Sequence, residues 1–290
     1  MKVAIMTDSN SGITQSQAKE LGIFVVPMPF TIDGKEYKED INLTQDQFYD
    51  MLMNGAEVFT SQPAVGEITT YFDKILEDYD QIVHIPMSSG LSGSCQTALM
   101  LSKESEYEGK VYIVDSQRVS VTQKCDVLDA IELAKQGKDA KEIHDILMNN
   151  KMNASIYITV NTLEYLKKGG RVTPAAAALG GLLKIKPILS IQGEKLDSYA
   201  KTRTMLKAKN MMIEAIKEDI RTRIDEDKDH FSNTRIMVAY TYDLDSALEL
   251  KAQLQEEFPN HTIDCDPLSL SVSCHIGPYS LAVAACKKIL

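Results

Sequence analysis

Short apolar runs alternate with amphipathic stretches along this chain, and that alternation constrains its fold more than any other feature. Val3 to Met6, Phe24 to Pro29, Gln81 to Pro86 and Val111 to Val114 read as strands, each leading into a polar turn. The second half repeats the pattern with Ser155 to Val160, Ile185 to Ile191, Arg235 to Tyr240 and Thr262 to Cys265. This is the rhythm of parallel strands joined by crossover helices, so the predicted fold class is α/β.

The intervening helices announce their starts. Thr44 with Gln47 makes a capping box, and Pro63 precedes a stretch with Val65, Ile68, Phe72, Ile75 and Leu76 on one face. Val119 to Lys135 and Ala140 to Asn149 follow, the second capped by Asp139. A long amphipathic helix is expected after Thr204, carrying Leu206, Met211, Met212, Ile216 and Ile220. Thr173-Pro174 opens another helix that Gly180-Gly181 would end, and the Gly277-Pro278 turn should begin the last one.

At 290 residues the chain exceeds the usual size of one domain. Two α/β lobes are expected, with the boundary in the charged, amide-rich segment Met148 to Asn153: an N-terminal lobe of residues 1–153 and a C-terminal lobe of residues 154–290. The net charge of −10 argues against nucleic acid as a partner. The amino terminus has too short an apolar stretch for a signal peptide, and no window approaches a membrane span, so the cytoplasm is the expected compartment. Cys95, Cys125, Cys265, Cys274 and Cys286 are scattered without zinc spacing and read as buried free thiols.

Function is suggested by hydroxyl-rich turns at the ends of the apolar runs: Thr60-Ser61-Gln62-Pro63, Ser88 to Ser94 and Asp115-Ser116. Such turns offer neutral donors and open backbone amides where an anion can be held without a metal. In an open α/β sheet they fall in the crevice beyond the carboxyl ends of the strands. Serines and threonines cap helices routinely, but Gly90 and Gly93 flank Ser92 and clear the way to the backbone. Gly169-Gly170-Arg171, Arg203 and His275-Ile276-Gly277-Pro278 add two arginines and a histidine from the second half. Arg171 also suits a plain capping role on the preceding carbonyls, and His275 that of a hydrogen-bonded core residue. P-loop, dinucleotide, His-Glu-x-x-His and calcium-loop patterns are all missing from the sequence, so neither a nucleotide cofactor nor a metal is predicted.

Taken in order, Thr7-Asp8-Ser9, Thr60-Ser61-Gln62-Pro63, Ser88-Ser89-Gly90-Leu91-Ser92-Gly93, Asp115-Ser116, Leu163 to Arg171, Leu183 to Pro187 and His275 to Pro278 resemble the DegV family of bacterial proteins over nearly the whole chain. The resemblance implies two α/β lobes with a long-chain fatty acid between them, its carboxyl end at the hydroxyl cluster and its tail in an apolar tunnel. It also implies a carrier without chemistry of its own, which presents the acid to a separate ATP-dependent fatty acid kinase that makes an acyl phosphate. Such a cargo implies transient contact with a membrane. Transferred by position, Thr60 and Ser92 become carboxyl ligands, with Ser61, Ser89 and Gly93 beside them and Arg171, Arg203 and His275 near the head group or the kinase-facing surface. The chain departs from the pattern at Val121-Thr122-Gln123, where relatives have a glycine-rich helix start, and at Tyr279, where a small residue is usual.

The physical chemistry agrees. About fourteen buried methylenes at roughly 0.8 kcal/mol each supply on the order of 11 kcal/mol before ordering costs, more than the several kcal/mol lost when a well-received carboxylate leaves water. Hydroxyl ligands also leave the carboxylate a better nucleophile than a bidentate arginine would, while an arginine nearby would meet the γ-phosphoryl charge during transfer. Apolar material for a tunnel is available in Leu179, Leu182, Leu183, Ile185, Ile188, Leu189 and Met211-Met212, and the 13 methionines suit an adaptable lining. Two other readings stay open. Ser92, Asp115 and His275 stand in the chain order of an α/β-hydrolase triad, although the second elbow glycine is replaced by Ser94; the other reading is a lipid-sensing module without kinase coupling.

Overall fold

The computed structural model describes residues 1–179, 185–193 and 195–289. Two sheets are built from the first 113 residues. β1 (Val3–Asp8), β2 (Phe24–Val26), β6 (Gln81–Ile85) and β7 (Val111–Ile113) form a parallel sheet of order β2-β1-β6-β7. β3 (Pro29–Ile32), β4 (Lys35–Lys38) and β5 (Val58–Thr60) form a small antiparallel sheet with β3 in the middle. Alternation along the parallel strands sorts side chains between two helical layers. Ile5, Val83 and Ile85 face α1 (Gln15–Leu21), α5 (Val121–Lys135) and α6 (Ala140–Asn150). Ala4, Met6 and Ile82 face α3 (Val65–Leu76) and α4 (Ser94–Leu101). α2 (Gln45–Met53) covers the small sheet through Phe48 and Leu52.

From residue 154 onward the strands make one six-stranded sheet of order β10-β9-β8-β13-β11-β12. Its strands are β8 (Ala154–Thr159), β9 (Lys186–Ile191), β10 (Asp197–Thr202), β11 (Thr234–Tyr240), β12 (Ile263–Pro267) and β13 (Leu281–Lys287). Its outer face, with Tyr157, Ile236, Val238 and Val283, packs on α9 (Met205–Asp219) and α10 (Leu244–Glu257). The inner face, with Ile156, Ile158, Leu189, Met237, Ala239, Ala282 and Ala284, turns toward Met87, Leu91, Val119 and Val121 of the first half. α7 (Glu164–Gly169), α8 (Pro174–Ala178) and α11 (Leu270–Ile276) lie at the edge of that seam.

α5 ties the two sheets together. Asp129 accepts from Arg235 of β11 at 2.6 Å, and Lys124 reaches Asp266 of β12 at 2.9 Å. Arg118, at the approach to α5, pairs with Asp126 at 2.5 Å and donates to the Asn150 carbonyl, and both charged side chains are buried. Such a pair adds little net stability over an apolar replacement, but losing either partner strands a buried charge.

The α/β class, the capping box at Thr44 and the Asp139 cap are as the sequence reads, the last completed to a box by Glu142. Four expectations differ. The second-half sheet is not a parallel array: every pairing in it except β11 with β12 is antiparallel, because β9 and β10 are joined by too short a connection for a crossover and β13 inserts between β8 and β11. Phe24 to Pro29 is not one strand but the end of one sheet and the start of another, broken where Pro27 removes a ladder donor. Gly277-Pro278 does not open a helix; Gly277, at φ 73°, ends α11, and the apolar run after it is β13, buried on both faces. Leu206, expected on the apolar face of α9, is 64% exposed. The Gly180-Gly181 helix end and the wall candidates Leu182 and Leu183 lie outside the described residues.

Candidate functional site

The seam between the two sheets is not filled. A cavity of about 220 Å³ runs through it, lined on one side by Ile156, Ile158, Ile191, Ala239 and Ala282 of the six-stranded sheet. Opposite stand Met87, Leu91, Val119 and Val121, with Leu166, Leu196, Leu268 and Ile276 at the flanks. The alanines explain the space. Ala239 and Ala282 are direct cross-strand partners on the inner face, so two minimal side chains meet where leucines or valines would close the seam.

One end of the cavity is polar, and three elements deliver it. α11 is seated on the small sheet and α2: Leu270 N–H donates to Glu39 at 2.8 Å and Tyr49 donates to Ser273 at 2.9 Å. Burial raises the Glu39 carboxyl to about 8. Within α11, Ser271, Val272, His275 and Ile276 fall on the cavity side, spaced one turn apart in pairs. β5 ends at Thr60, whose Oγ lies 2.8 Å from His275 Nε2. Ser61 and Gln62 continue along the rim.

The third element is the turn from β6 to α4. Leu91 and Ser92 N–H groups both donate to the Ser88 carbonyl, which folds the turn back so that Leu91, Ser92 and Gly93 face the cavity. Ser92 Oγ is 3.0 Å from Ser94 Oγ and accepts from the Ser94 N–H at 3.2 Å. Two glycines of the site lie in close contact with its side chains, Gly169 too closely for any Cβ. A Cβ on Gly93 would meet Gln62 Oε1 at 3.0 Å, and one on Gly169 would stand 2.0 Å from His275 Nδ1.

Arg171 lines the same end but is engaged with the backbone: Nε donates to the Leu91 carbonyl at 3.1 Å and Nη1 to the Gly169 carbonyl. Burial, reinforced by the Arg171 charge, pushes the His275 imidazole down to about 4, so it is neutral at physiological pH. The polar end therefore combines hydroxyls, a neutral imidazole and one cation already spent on carbonyls. A second cavity, of about 140 Å³, shares Thr60, Arg171 and His275 with this end and adds Phe59, Tyr165, Lys168, Gly169 and Cys274. Among the described residues no cluster of three His, Cys, Asp or Glu side chains is placed to hold a metal ion.

Of the residues singled out from the sequence, Thr60, Ser61, Ser92, Gly93, Arg171 and His275 come together here. Ser89 does not line the cavity; its N–H donates to Asp115 Oδ1 at 3.2 Å. Arg203 follows β10, is exposed, and is likewise outside the lining. The hydrolase reading fails on geometry, because His275 Nε2 is bonded to Thr60 rather than Ser92, Ser92 Oγ to Ser94, and Asp115 to the Ser89 amide. Several wall candidates are corrected too: Ile188, Met211 and Met212 belong to the outer core under α9, on the opposite face of the sheet. Asn10, Gln62, Met87, Ser120 and Ser271 line the cavity without having been singled out for it.

Comparison with known proteins closes the description. A DegV domain-containing protein of Staphylococcus aureus is 29% identical over 287 residues, covering 99% of each chain. A structure described as showing fatty acid binding by a DegV family protein from Thermus thermophilus superposes with a TM-score of 0.89 at 27% identity, over 99% of this chain and 100% of the other. That of DegV, a fatty acid binding protein from Bacillus subtilis, gives 0.86 at 26% identity, over the same shares. The sequence model of the family, described as uncharacterised proteins of the DegV family, matches residues 2–288, so this chain belongs to the DegV family.

Proposed function

We propose that this chain binds a long-chain fatty acid between an N-terminal lobe, residues 1–153, and a C-terminal lobe, residues 154–290. Thr60, Ser92 and His275 receive the carboxylate, with Ser61, Gly93 and Arg171 around it, and the tail lies along the inner face of the six-stranded sheet. One observation carries this reading: a cavity between the two sheets whose walls are mostly apolar and whose Thr60, Ser92 and His275 end offers hydroxyls and a neutral imidazole. The tail drives capture and the polar end fixes its direction. The fatty acid binding described for the related Thermus and Bacillus structures supports the same ligand class.

The same proposal gives the chain no chemistry of its own and assigns the next step to a separate ATP-dependent kinase that phosphorylates the carboxylate. Two features support it. Arg171 gives its Nε hydrogen and one Nη1 hydrogen to carbonyls, which removes its Nε edge from a bidentate clamp on the carboxylate lone pairs. The second cavity abuts the carboxylate-receiving residues from another side, leaving the head group approachable without removal of the tail. Five free cysteines suit action in the reducing cytoplasm. Loading from a bilayer would be a transient surface contact, and no described helix is long and apolar enough to cross one.

Denaturing extraction of the purified protein followed by lipid mass spectrometry tests the ligand: a stoichiometric long-chain acid is expected, and an empty protein that also fails to bind added fatty acid would refute the reading. For the kinase step, Arg203→Ala is the sharper probe, since this exposed residue lies off the cavity lining. Phosphorylation of the bound acid by the kinase should fall while its dissociation constant stays put; equal losses in both would remove Arg203 from the docking surface.

A further inference from the structure

A plain hydrocarbon tail asks only for apolar walls, yet three lining residues outside the proposed carboxylate set are polar. Asn10, Ser120 and Ser271 meet from three elements: the turn after β1, the start of α5, and α11. Ser120 is 3% exposed, and its Oγ has no hydrogen-bonding partner among the described residues. It does not cap α5, the ordinary duty of a serine in that position. Its backbone is held in place by an N–H donated to the Asn10 carbonyl at 2.9 Å, with φ at 56°. Its neighbours are only partly satisfied. Asn10 Oδ1 accepts from Ser269 and Ser271, while Asn10 Nδ2 spends a hydrogen on the Met87 thioether, a weak acceptor. Having donated its proton to Asn10, Ser271 Oγ can only accept further, and its other contact is Ser269 Oγ at 3.5 Å.

A buried hydroxyl without a partner is costly and rare, and the residue that carries it belongs to the lining of the cavity that a ligand would occupy. We infer that Asn10, Ser120 and Ser271 form a second polar subsite and that the preferred ligand is a fatty acid whose chain carries a hydroxyl group. This rests on the fatty-acid reading of the cavity. A hydroxyl both donates and accepts, which matches Ser120 Oγ together with the remaining acceptor capacity of Ser271; a methylene at the same point would leave Ser120 unmet. Ser271 precedes His275 by four residues on α11, one turn or about 6 Å of rise, so the hydroxyl belongs part-way along the chain and not at its methyl end.

Delipidated protein titrated with stearic acid and with a positional series of monohydroxystearic acids provides the test. At least one positional isomer should bind about tenfold tighter than stearic acid, the effect of one well-made buried hydrogen bond. Ser120→Ala should erase that preference while leaving stearic acid bound as well or better. Ser120→Gly, which suits a positive φ, repeats the measurement should the alanine variant fold poorly. The inference is overturned if no isomer outbinds stearic acid, or if the preference survives in both variants. Stearic acid binding without any isomer preference sinks the subsite alone; failure of every acid to bind sinks the fatty-acid reading with it.

Discussion

Thr60 puts the proposed carboxylate site to the test in a single hydroxyl. Its Oγ is held 2.8 Å from a neutral imidazole at the mouth of an apolar cavity, where a carboxylate has few other donors to turn to. Thr60→Val keeps the shape and removes the donor. A hydrogen bond to a charged group contributes about 1.5–3 kcal/mol, so fatty acid affinity should fall tenfold or more in a fluorescence or calorimetric titration, with the melting temperature nearly unchanged. Its partner His275 makes a pH prediction. Burial lowers its folded-state pKa from 6.5 to about 4, so as pH falls through this range the unfolded chain takes up the proton first. The stability is therefore complete above 6.5 and is lost towards 4, at up to about 1.4 kcal/mol per pH unit. Asp8, raised by burial to about 6, acts with the opposite sign over much of that window, so the contribution must be isolated as a difference. The gap in urea-unfolding free energy between wild type and His275→Gln should narrow as pH drops from 6.5 to 4; a constant gap would mean that His275 is not held neutral by the fold. At this scale the sequence was legible where glycines frame a hydroxyl, as at Ser92 and Gly93. Ser120 and Ser271 escaped because a serine beside a helix start reads as a cap, and only the fold shows that Ser120 caps nothing.

Elements with local causes could be read directly, and those with distant causes could not. The capping boxes of α2 and α6 are written in four consecutive residues each. By contrast β13 is a run of small and apolar residues that suits a helix or a strand equally, and becomes a strand because β8 and β11 are both waiting for a partner. α11 shows how close packing between elements sets the site. It lies against α7 with glycines at both crossing points: Gly169 beside the His275 ring and Gly277 beside Tyr165, where an added Cβ would come within 2.4 Å. Gly169→Ala must move His275, because the added Cβ would stand only 2.0 Å from Nδ1 and also within contact distance of Cε1 and Cγ of the same rigid ring. Loss of fatty acid affinity at least as large as that of Thr60→Val is expected, with a drop in melting temperature of a few degrees. Unchanged binding would show that the Thr60–His275 contact is dispensable.

At the scale of the whole molecule, the site is a packing defect maintained between two well-packed layers. Each sheet has a dense outer core of its own, and α5 locks the sheets together through Asp129, Lys124 and Cys125, so the seam need not be filled for the halves to stay joined. Alternating strands could be counted along the sequence. Their pairing order, which decides which faces meet, depends on where β13 inserts and was not legible. Because residues of opposite parity serve different cores, that order also decides which apolar side chains are walls and which are ordinary interior. Ala239 and Ala282 are thus the residues that hold the seam open, and the structure separates stability from binding at those positions. Ala282→Leu adds apolar volume where there is empty space, so it should leave the unfolding free energy unchanged or raise it, as cavity-filling substitutions do. The same side chain would stand where the tail must run. Fatty acid binding should be lost, together with the stabilisation that ligand confers on wild type, about 2.7 kcal/mol at a hundredfold excess over the dissociation constant. Thermal denaturation with and without fatty acid checks both halves at once. A variant that is stable and still shifts on adding the acid would place the tail elsewhere, whereas a destabilised variant would mean the seam is already as full as its neighbours tolerate.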